Sequence, residues 1–247
     1  KKVLGEELIP KIKSLYAISL QDKNDKQIIT KPEEGSKKKR ADIDNQRIDA
    51  LIIGSSTGGP NALAKLIADI PSDIGVPVLI VQHMPPLFTR FLAERLASKS
   101  KLVVYESVSG MIVEKNRIYI APGDFHMTVK KEGNAVKIYN NKEEHENSCR
   151  PSVDVLFRSA AAVYGCNILA VILTGMGHDG LKGCHAVKNA GGRIFVQDSE
   201  TSVVSSMPCS VSNAGLSDGV FPIDSIGCEI VKKIREANSL SDMLRRV

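Results

Sequence analysis

Residues 48–67, IDALIIGSSTGGPNALAKLI, constrain the fold more than any other stretch of the chain. An apolar run, Ala50 to Ile53, stops abruptly at Gly54, and an amphipathic pattern starts after Pro60. This pattern predicts a buried strand, a tight turn and a helix. The turn holds a G-x-S-x-G centred on Ser56, in which glycines take strained backbone angles and the serine oxygen is exposed above the sheet. Two interpretations are open: Ser56 is a nucleophile, or the turn binds a phosphate group.

The later apolar runs are continuous rather than alternating, and helical patterns separate them. Such runs indicate parallel strands that are covered on both faces, so we predict an α/β fold with a doubly wound, mostly parallel sheet. Alternation across 117–140, around Glu132-Gly133-Asn134, predicts an inserted antiparallel β-hairpin. The further predicted strands are 76–83, 101–105, 168–173, 193–196 and 219–222, and the helices are 89–97, 153–164 with Ser152 as its cap, 181–190, a short one after Pro208, and 224 to about 237.

Composition and charge exclude several classes of protein. The 247 residues are 43% hydrophobic and 25% charged, as in globular proteins, and no apolar stretch reaches the ~20 residues that cross a bilayer. Residues 1–48 hold twelve Lys and Arg against eight Asp and Glu, so +4 of the net +5 lies there. The remainder is nearly neutral, and the chain has no Trp and few other aromatic residues. We therefore expect no nucleic-acid partner and no membrane insertion.

The five cysteines are odd in number, widely spaced and never in C-x-x-C order. This pattern favours free thiols in a reducing compartment over a disulfide framework or a zinc site. We therefore expect a cytoplasmic protein with no metal and no cofactor.

The first 46 residues differ in character from the rest. Residues 3–16 have helical spacing and are typical of the last helix of a preceding domain, although Pro10 interrupts it. Residues 21–46 are almost entirely polar and predict a disordered linker. The main domain is expected from residue 47 to residue 247.

Three predicted loops at strand ends carry polar groups suited to catalysis. Ser56 follows the first strand, His83 follows the second, and Asp179 lies in a glycine-rich loop after the strand 168–173. Because the carboxyl ends of parallel strands share one edge of the sheet, these loops should lie together. A serine needs a base, and the base needs a carboxylate that orients it. Each residue also has an ordinary alternative, as a turn serine, a core histidine and a helix N-cap.

Other motifs narrow the choice. The order Ser, His, Asp differs from the Ser, acid, His order of α/β-hydrolases, so that fold is excluded despite the G-x-S-x-G. No G-x-x-x-x-G-K-[ST] or G-x-G-x-x-G occurs, and Gln82-His83 stands where an acidic residue would bind a ribose. A nucleophilic Ser56 is favoured, and a nucleotide-binding module remains the alternative.

Six motifs, in order, resemble the catalytic domain of the chemotaxis protein-glutamate methylesterase/glutaminase family, CheB. The resemblance runs from about residue 48 to 235. It extends to the first 46 residues, where 1–20 are similar to the tail of that family's receiver domain and 21–46 to its interdomain linker, with the receiver itself absent from this chain. The motifs are IIGSSTGGPNAL, VQHMPPLFTRFLAERL, IYIAPGDFHM, RPSVDVLFRSAA, AVILTGMGHDGLKG and GGRIFVQDSETSVVSSMPCSV.

The resemblance implies a modified doubly wound fold in which Ser56 is the nucleophile, His83 the general base and acid, and Asp179 the orienting carboxylate. The implied reaction is hydrolysis of glutamate methyl esters, with deamidation of glutamines, on the cytoplasmic helices of methyl-accepting chemoreceptors during chemotactic adaptation. The receiver domain would cover the strand-end face and release it on phosphorylation. The alternative is a non-catalytic module that docks on receptors or binds a nucleotide with the same fold.

Some finer expectations follow. We expect the backbone N–H groups of Thr57 and of the segment around Met176 to hold the oxyanion, and Gly58 with Gly59 to leave room for a receptor side chain. His178 departs from the family, which usually has Asn or Asp there. His126 is expected to be exposed on the hairpin, and Arg90 to form a surface ion pair. The sequence assigns no role to His145 or His185.

Overall fold

The computed structural model describes residues 47–244, and it describes side chains up to residue 241. The predicted domain tail, 1–20, and linker, 21–46, lie outside the described residues. The strands are β1 (Ala50–Ser55), β2 (Val78–Gln82), β3 (Val103–Glu106), β4 (Arg117–Ile120), β5 (His126–Glu132), β6 (Ala135–Asn141), β7 (Ile168–Ile172), β8 (Arg193–Gln197) and β9 (Gly219–Phe221). The helices are α1 (Gly59–Asp69), α2 (Phe88–Ala97), α3 (Val153–Tyr164), α4 (Leu181–Asn189), α5 (Ser206–Asn213) and α6 (Ile223–Leu244).

Seven strands form one sheet in the order β3-β4-β2-β1-β7-β8-β9, and every neighbouring pair in it is parallel. Strands β5 and β6 form a separate antiparallel hairpin. The predicted α/β fold, with its parallel sheet and inserted hairpin, is confirmed. The predicted bounds of β1, β2, α2, α3, β7, α4 and β8 also agree within about two residues.

Helices cover both faces of the sheet because its strands are apolar on both sides. Alternate residues of β1 point to opposite faces, so that Leu51 and Ile53 belong to one buried cluster and Ala50 and Ile52 to the other. Helices α1, α2 and α6 pack on the first face. Helices α3, α4 and α5, together with the hairpin, pack on the second.

The prediction for residues 117–140 is wrong in its first part. The segment Arg117–Ile120 is not part of the hairpin but forms β4, which lies between β3 and β2 in the main sheet. Its alternation is real, but both sides are buried: Ile118 belongs to one cluster and Tyr119 to the other. Alternation alone does not separate a hairpin strand from a short central strand with apolar residues on both faces.

Two helices differ from their predicted bounds. Helix α5 begins at Ser206 rather than after Pro208, because a proline is tolerated in the first turn, where its missing N–H has no acceptor to bond. Helix α6 continues to Leu244, beyond the predicted end near Ala237. No helix in the described part of the chain is long and apolar enough to cross a bilayer.

The strand order defines where loops converge. From β1 the chain moves to β2 on one side of the sheet, and it later returns to β7 on the other side of β1. This reversal opens a crevice at the carboxyl ends of the strands, the usual ligand site of open α/β sheets. The loops after β1, β2 and β7 therefore meet at one edge.

Helices α3 and α4 approach closely at Gly183. A Cβ built there would lie 2.5 Å from Cβ of Phe157 and 3.2 Å from Cα of Asp154. The Gly183 N–H also donates to Asp154 Oδ1 at 2.6 Å. The contact fixes the first half of α3 against the first turn of α4.

We expect Gly183→Ala to lower the stability of the protein. Alanine normally stabilises a helix interior by about 0.5–1 kcal/mol relative to glycine, but here its methyl group overlaps Phe157 and the α3 backbone, and overpacking costs roughly 1–3 kcal/mol. Urea unfolding followed by circular dichroism measures the change. His185→Ala, at an exposed position of the same helix, is the control and should change stability by less than about 0.5 kcal/mol. A stabilised Gly183→Ala protein would contradict the packing.

Candidate active site

The turn that follows β1 is tied to the loop that follows β7. The Ser56 N–H donates to the Thr174 carbonyl at 3.0 Å, and the Ser56 carbonyl accepts from Gly59 N–H at 2.8 Å. A Cβ on Gly175 would lie 2.8 Å from the Ser56 Cβ, so the two loops are in direct contact. Ser56 is half-buried at the crevice between β1 and β7.

The glycines after Ser56 have a different role from the expected one. Gly58 has φ +82° and closes the turn before α1, and a Cβ there would lie 2.7 Å from Val203. A Cβ on Gly59 would overlap the side-chain amide of Gln82. These positions are glycine because neighbouring loops pack against them, so the expectation that they leave room for a substrate side chain is wrong.

Gln82 joins the ends of β1 and β2. Its side chain is buried, and its Oε1 accepts from Ser55 Oγ at 2.7 Å. Its Nε2 donates to the carbonyls of Ser56, at 2.9 Å, and His83, at 3.0 Å. One buried amide thus fixes the backbone at both residues predicted to be the nucleophile and the base.

Asp179 is not the N-cap of the helix that follows it, because Gly180 occupies that position. Its carboxylate, whose side chain is 2% exposed, instead lies at the start of α3. It accepts from the backbone N–H groups of Val153, at 2.6 Å, and Asp154, at 3.2 Å. The positive N-terminal end of α3 therefore stabilises the Asp179 charge.

Two side chains from the segment before α3 complete the environment of Asp179. Ser152 Oγ donates to Asp179 Oδ1 at 2.8 Å, and Asn147 Nδ2 donates to the same oxygen at 2.7 Å. Ser152 holds the N-cap position of α3, as predicted, but its hydroxyl makes no capping bond. The cap is supplied by the carboxylate of a distant residue.

His83 is the fifth donor to this carboxylate. Its Nε2 lies 2.7 Å from Asp179 Oδ2, and its side chain is 12% exposed. Burial lowers the pKa of His83, but the hydrogen bonds to Asp179 and Cys149 outweigh it and raise the pKa to about 9. Burial raises the pKa of Asp179, but the hydrogen bond from His83 and its charge outweigh it and hold this pKa at about 2. The contact thus favours the charged form of each group, an imidazolium beside a carboxylate.

The second ring nitrogen of His83 forms no hydrogen bond with Ser56 in the described part of the chain. His83 Nδ1 lies 3.6 Å from Cys149 Sγ, and within the described residues Ser56 Oγ has no hydrogen-bond partner. The structure thus brings His83 and Asp179 into direct contact and holds Ser56 on the neighbouring strand end. Ser56 Oγ and His83 Nδ1 are therefore not hydrogen-bonded to each other, which is common in catalytic sites before substrate binds.

Sequence reasoning missed Asn147. This residue has φ +53°, a conformation that Asn tolerates better than most residues, and its Nδ2 also donates to Asp154 Oδ2 at 2.8 Å. Asp154 is fully buried, and burial, with the nearby charge of Asp179, raises its pKa. One amide group thus separates two buried carboxylates. The only signal in the sequence was a polar segment directly before a helix.

Some of the backbone N–H groups that were expected to hold the oxyanion already donate to other acceptors. Gly175 N–H donates to the Val204 carbonyl at 2.8 Å, and Gly177 N–H donates to Ser206 Oγ at 3.0 Å. Across residues 47–244 the backbone N–H groups of Thr57 and Met176 have no acceptor. Of the segment around Met176, only its own N–H is therefore open to a ligand.

The other histidines lie in contrasting places. His126 is fully buried, so its expected exposure is wrong. Its Nδ1 accepts from Ser152 N–H at 3.2 Å, which leaves its Nε2 to donate to the Glu144 carbonyl at 2.9 Å. His145, His178 and His185 are exposed. Arg90 pairs with Glu94 across 3.3 Å on the surface of α2, as expected.

His83, Cys149 and Asp179 each offer a metal-ligating atom, and these atoms lie within 4.8 Å of one another. However, Asp179 already accepts five donors and His83 Nε2 is one of them. Only Cys149 Sγ and His83 Nδ1 are left, which is fewer than the three or four protein ligands that zinc requires.

Comparisons with known proteins point to one family. The family described as CheB methylesterase matches residues 51–230. The protein-glutamate methylesterase/protein-glutamine glutaminase of Trichodesmium erythraeum is 46% identical over 188 residues, which are 76% of this chain and 53% of the relative. A similarly named protein of Methanosarcina mazei is 40% identical over 244 residues, 94% of this chain and 65% of the relative. This chain thus spans about half to two thirds of the length of these curated relatives.

A solved structure shares the fold. The crystal structure of the Thermotoga maritima CheB methylesterase catalytic domain superposes with a TM-score of 0.74 and 43% sequence identity, covering 75% of this chain and 98% of that one. On the family match and these identities, the chain belongs to the CheB methylesterase family.

Proposed function

We propose that this domain is a serine hydrolase that removes methyl esters from glutamate side chains of chemoreceptor cytoplasmic helices and deamidates glutamines there. The observation that carries the proposal is the 2.7 Å contact between His83 and Asp179 at the strand end beside Ser56. The names of the relatives, protein-glutamate methylesterase/protein-glutamine glutaminase, support this substrate class.

In the proposed reaction Ser56 Oγ attacks the ester carbonyl while His83 Nδ1 takes its proton. Asp179 keeps the ring oriented, accepts from Nε2–H, and stabilises the imidazolium that forms. The open N–H groups of Thr57 and Met176 donate to the developing oxyanion. Methanol leaves with the proton from His83, or ammonia when the substrate is glutamine, and water then hydrolyses the glutamyl-enzyme by the same steps.

The surface around the crevice suits a protein substrate. The side chains of Met176 and Val203, on the loops beside Ser56, are both 69% exposed. Leu87 and Phe88, shortly after His83, are 75% and 57% exposed. Exposed apolar groups that border a polar site are typical of a surface that binds another protein.

The same assignment supports a cytoplasmic location, where the proposed receptor helices lie. It also supports control by a receiver domain that covers this edge of the sheet, with residues 21–46 as the linker.

Ser56→Ala should lower the turnover of glutamate methyl esters by at least about 10³-fold, since removing the nucleophile of a serine hydrolase has effects of this size or larger. The assay measures methanol released from methylated chemoreceptor fragments. Ser239→Ala, at an exposed position on α6, is the control and should retain full turnover. Undiminished turnover in Ser56→Ala would reject the nucleophile, and absence of turnover in the unaltered chain would favour the docking module.

The pH dependence follows from His83. Only the neutral ring accepts a proton, and its pKa is raised to about 9. Turnover should therefore rise close to tenfold per pH unit from pH 6.5 to about 8.5 and then level off, while Asp179 stays ionised throughout. The measurement is kcat/KM for methanol release against pH. A profile that is flat above pH 7 would contradict the raised pKa.

Asn147→Ala should reduce both stability and turnover because it leaves Asp154 and Asp179 facing each other. The free energy of unfolding should fall by about 1–3 kcal/mol, the cost of unsatisfied buried groups. The loss should shrink as the pH is lowered, because the raised pKa of Asp154 lets it protonate early on acidification and relieve the repulsion. Urea titrations over a series of acidic to neutral pH values test this, with the exposed Asn189→Ala on α4 as control. A loss that does not change across the series would exclude the carboxylate pair as the cause.

A further inference from the structure

The two backbone N–H groups proposed to hold the oxyanion belong to peptide units whose carbonyl groups are fixed by other residues. The peptide bonds between Ser56 and Thr57 and between Gly175 and Met176 are both trans. In a trans peptide the C=O and N–H groups lie in one plane and point in opposite directions. A residue that holds the Ser56 or Gly175 carbonyl therefore also sets the direction of the N–H group of the next residue.

Gln82 holds the carbonyl of Ser56. Its Nε2 donates to that oxygen at 2.9 Å, and Gly59 N–H donates to the same oxygen at 2.8 Å. The Thr57 N–H group points away from both donors, and across residues 47–244 it has no acceptor. It is open to a ligand because the carbonyl on the other side of its peptide plane is held in place.

The amide group of Gln82 can hold this carbonyl in one orientation only. The residue is buried, with 2% of its surface exposed. Its Oε1 accepts from Ser55 Oγ at 2.7 Å, and its Nε2 also donates to the His83 carbonyl at 3.0 Å. A flipped amide would place its oxygen against two carbonyl oxygens, and none of these three atoms can donate. The group that fixes the Ser56 carbonyl is therefore itself fixed.

Ser206, at the start of α5, holds the carbonyl of Gly175 in a similar way. Its Oγ donates to that oxygen at 3.0 Å and accepts from Gly177 N–H at 3.0 Å. Met207 N–H donates to the Gly175 carbonyl as well, at 3.0 Å. The Met176 N–H group points away from these donors, and in the described part of the chain it has no acceptor. One hydroxyl thus fixes the residue on each side of Met176.

The two peptide units lie on either side of the Ser56 side chain. Thr57 directly follows Ser56, and a Cβ on Gly175 would lie 2.8 Å from Ser56 Cβ. The Ser56 N–H also donates to the Thr174 carbonyl at 3.0 Å, which ties the two loops together. Stabilising an oxyanion requires donors that already point to the place where the charge develops. The carbonyl contacts on the far side of each peptide unit supply that fixed direction.

We propose that Gln82 and Ser206 are positioning residues that direct the N–H groups of Thr57 and Met176 to the oxyanion. The inference rests on the proposed function, because this oxyanion forms only when Ser56 acts as a nucleophile. In that step the bond between Ser56 Oγ and the carbonyl carbon forms, the carbonyl π pair moves to oxygen, and the proton passes to His83. Both side chains act through the backbone, so their loss should slow this step more than it weakens substrate binding.

Ser206→Ala tests the Met176 side of the site. With methylated chemoreceptor fragments, kcat should fall about tenfold and KM should change less than about twofold, because a misdirected donor loses part of the factor of ~10²–10³ that an oxyanion donor supplies. The loss is partial because Met207 N–H still holds the carbonyl. An unchanged kcat, or a rise in KM that accounts for the whole loss, would overturn the proposal.

Ser210→Ala is the matched control. Ser210 lies on the same helix, and its Oγ donates to the Met207 carbonyl at 2.7 Å rather than to the loop that contacts Ser56. This variant loses a hydroxyl bonded to the backbone, as Ser206→Ala does, but it should keep full turnover. An equal fall in kcat in both variants would assign the effect to the helix and overturn the proposal.

Gln82→Leu tests the Thr57 side of the site. It removes both donors of the amide at similar size, so kcat should fall at least about tenfold. Urea unfolding followed by circular dichroism verifies that the variant is folded. Full kcat in a folded Gln82→Leu protein would overturn the role of Gln82. If the variant does not fold, the comparison of Ser206→Ala with Ser210→Ala decides.

A fluorophosphonate separates this inference from the choice of substrate. Ser56 Oγ attacks phosphorus, fluoride leaves, the proton passes to His83, and the phosphoryl oxygen takes the position of the oxyanion. Peptide mass spectrometry should show labelling of Ser56 about tenfold slower in Ser206→Ala than in Ser210→Ala. Equal rates would overturn the positioning role and leave the proposed function intact. No labelling of Ser56 in the unaltered chain, together with no methanol release, would reject the nucleophile and both proposals.

Discussion

The buried carboxylate of Asp179 is the group on which the rest of the site depends. Five donors reach it: the ring of His83, the side chains of Asn147 and Ser152, and two backbone N–H groups at the start of α3. An unpaired charge at 2% exposure would cost several kcal/mol, so this set of donors is a condition of folding as well as of chemistry. It joins the ends of β2 and β7 to the helix that covers them.

The position of the site at this edge of the sheet could be predicted because the sequence shows where the strands end. Continuous apolar runs locate the strands, and the residues that follow them, Ser56, His83 and Asp179, must lie at one edge when the strands are parallel. That reasoning needs no knowledge of the contacts. The resemblance to a known family agreed with it and added the reaction, and the contact of His83 with Asp179 is what both expected.

What the sequence did not predict are partners that lie far apart in the chain. Asp179 was considered as a cap for its own helix, but it caps α3, which starts 26 residues earlier. Asn147 bridges two carboxylates that no local pattern connects, and His126 is buried by the segment before α3 rather than exposed on the hairpin. In each case tertiary packing selects the partner, and a pattern of period 2 or 3.6 carries no information about it.

Asp179 also determines which nitrogen of the His83 ring is left for the proposed chemistry. Because Asp179 accepts from His83 Nε2, the proton stays on that nitrogen, and Nδ1 is the proposed base. Cys149 Sγ lies on that side of the ring at 3.6 Å, and Ser56 lies on the adjoining turn. In the proposed reaction a substrate carbonyl group brings Ser56 to the ring. One buried carboxylate thus determines, through the ring nitrogen to which it is hydrogen-bonded, which nitrogen is left to accept the Ser56 proton.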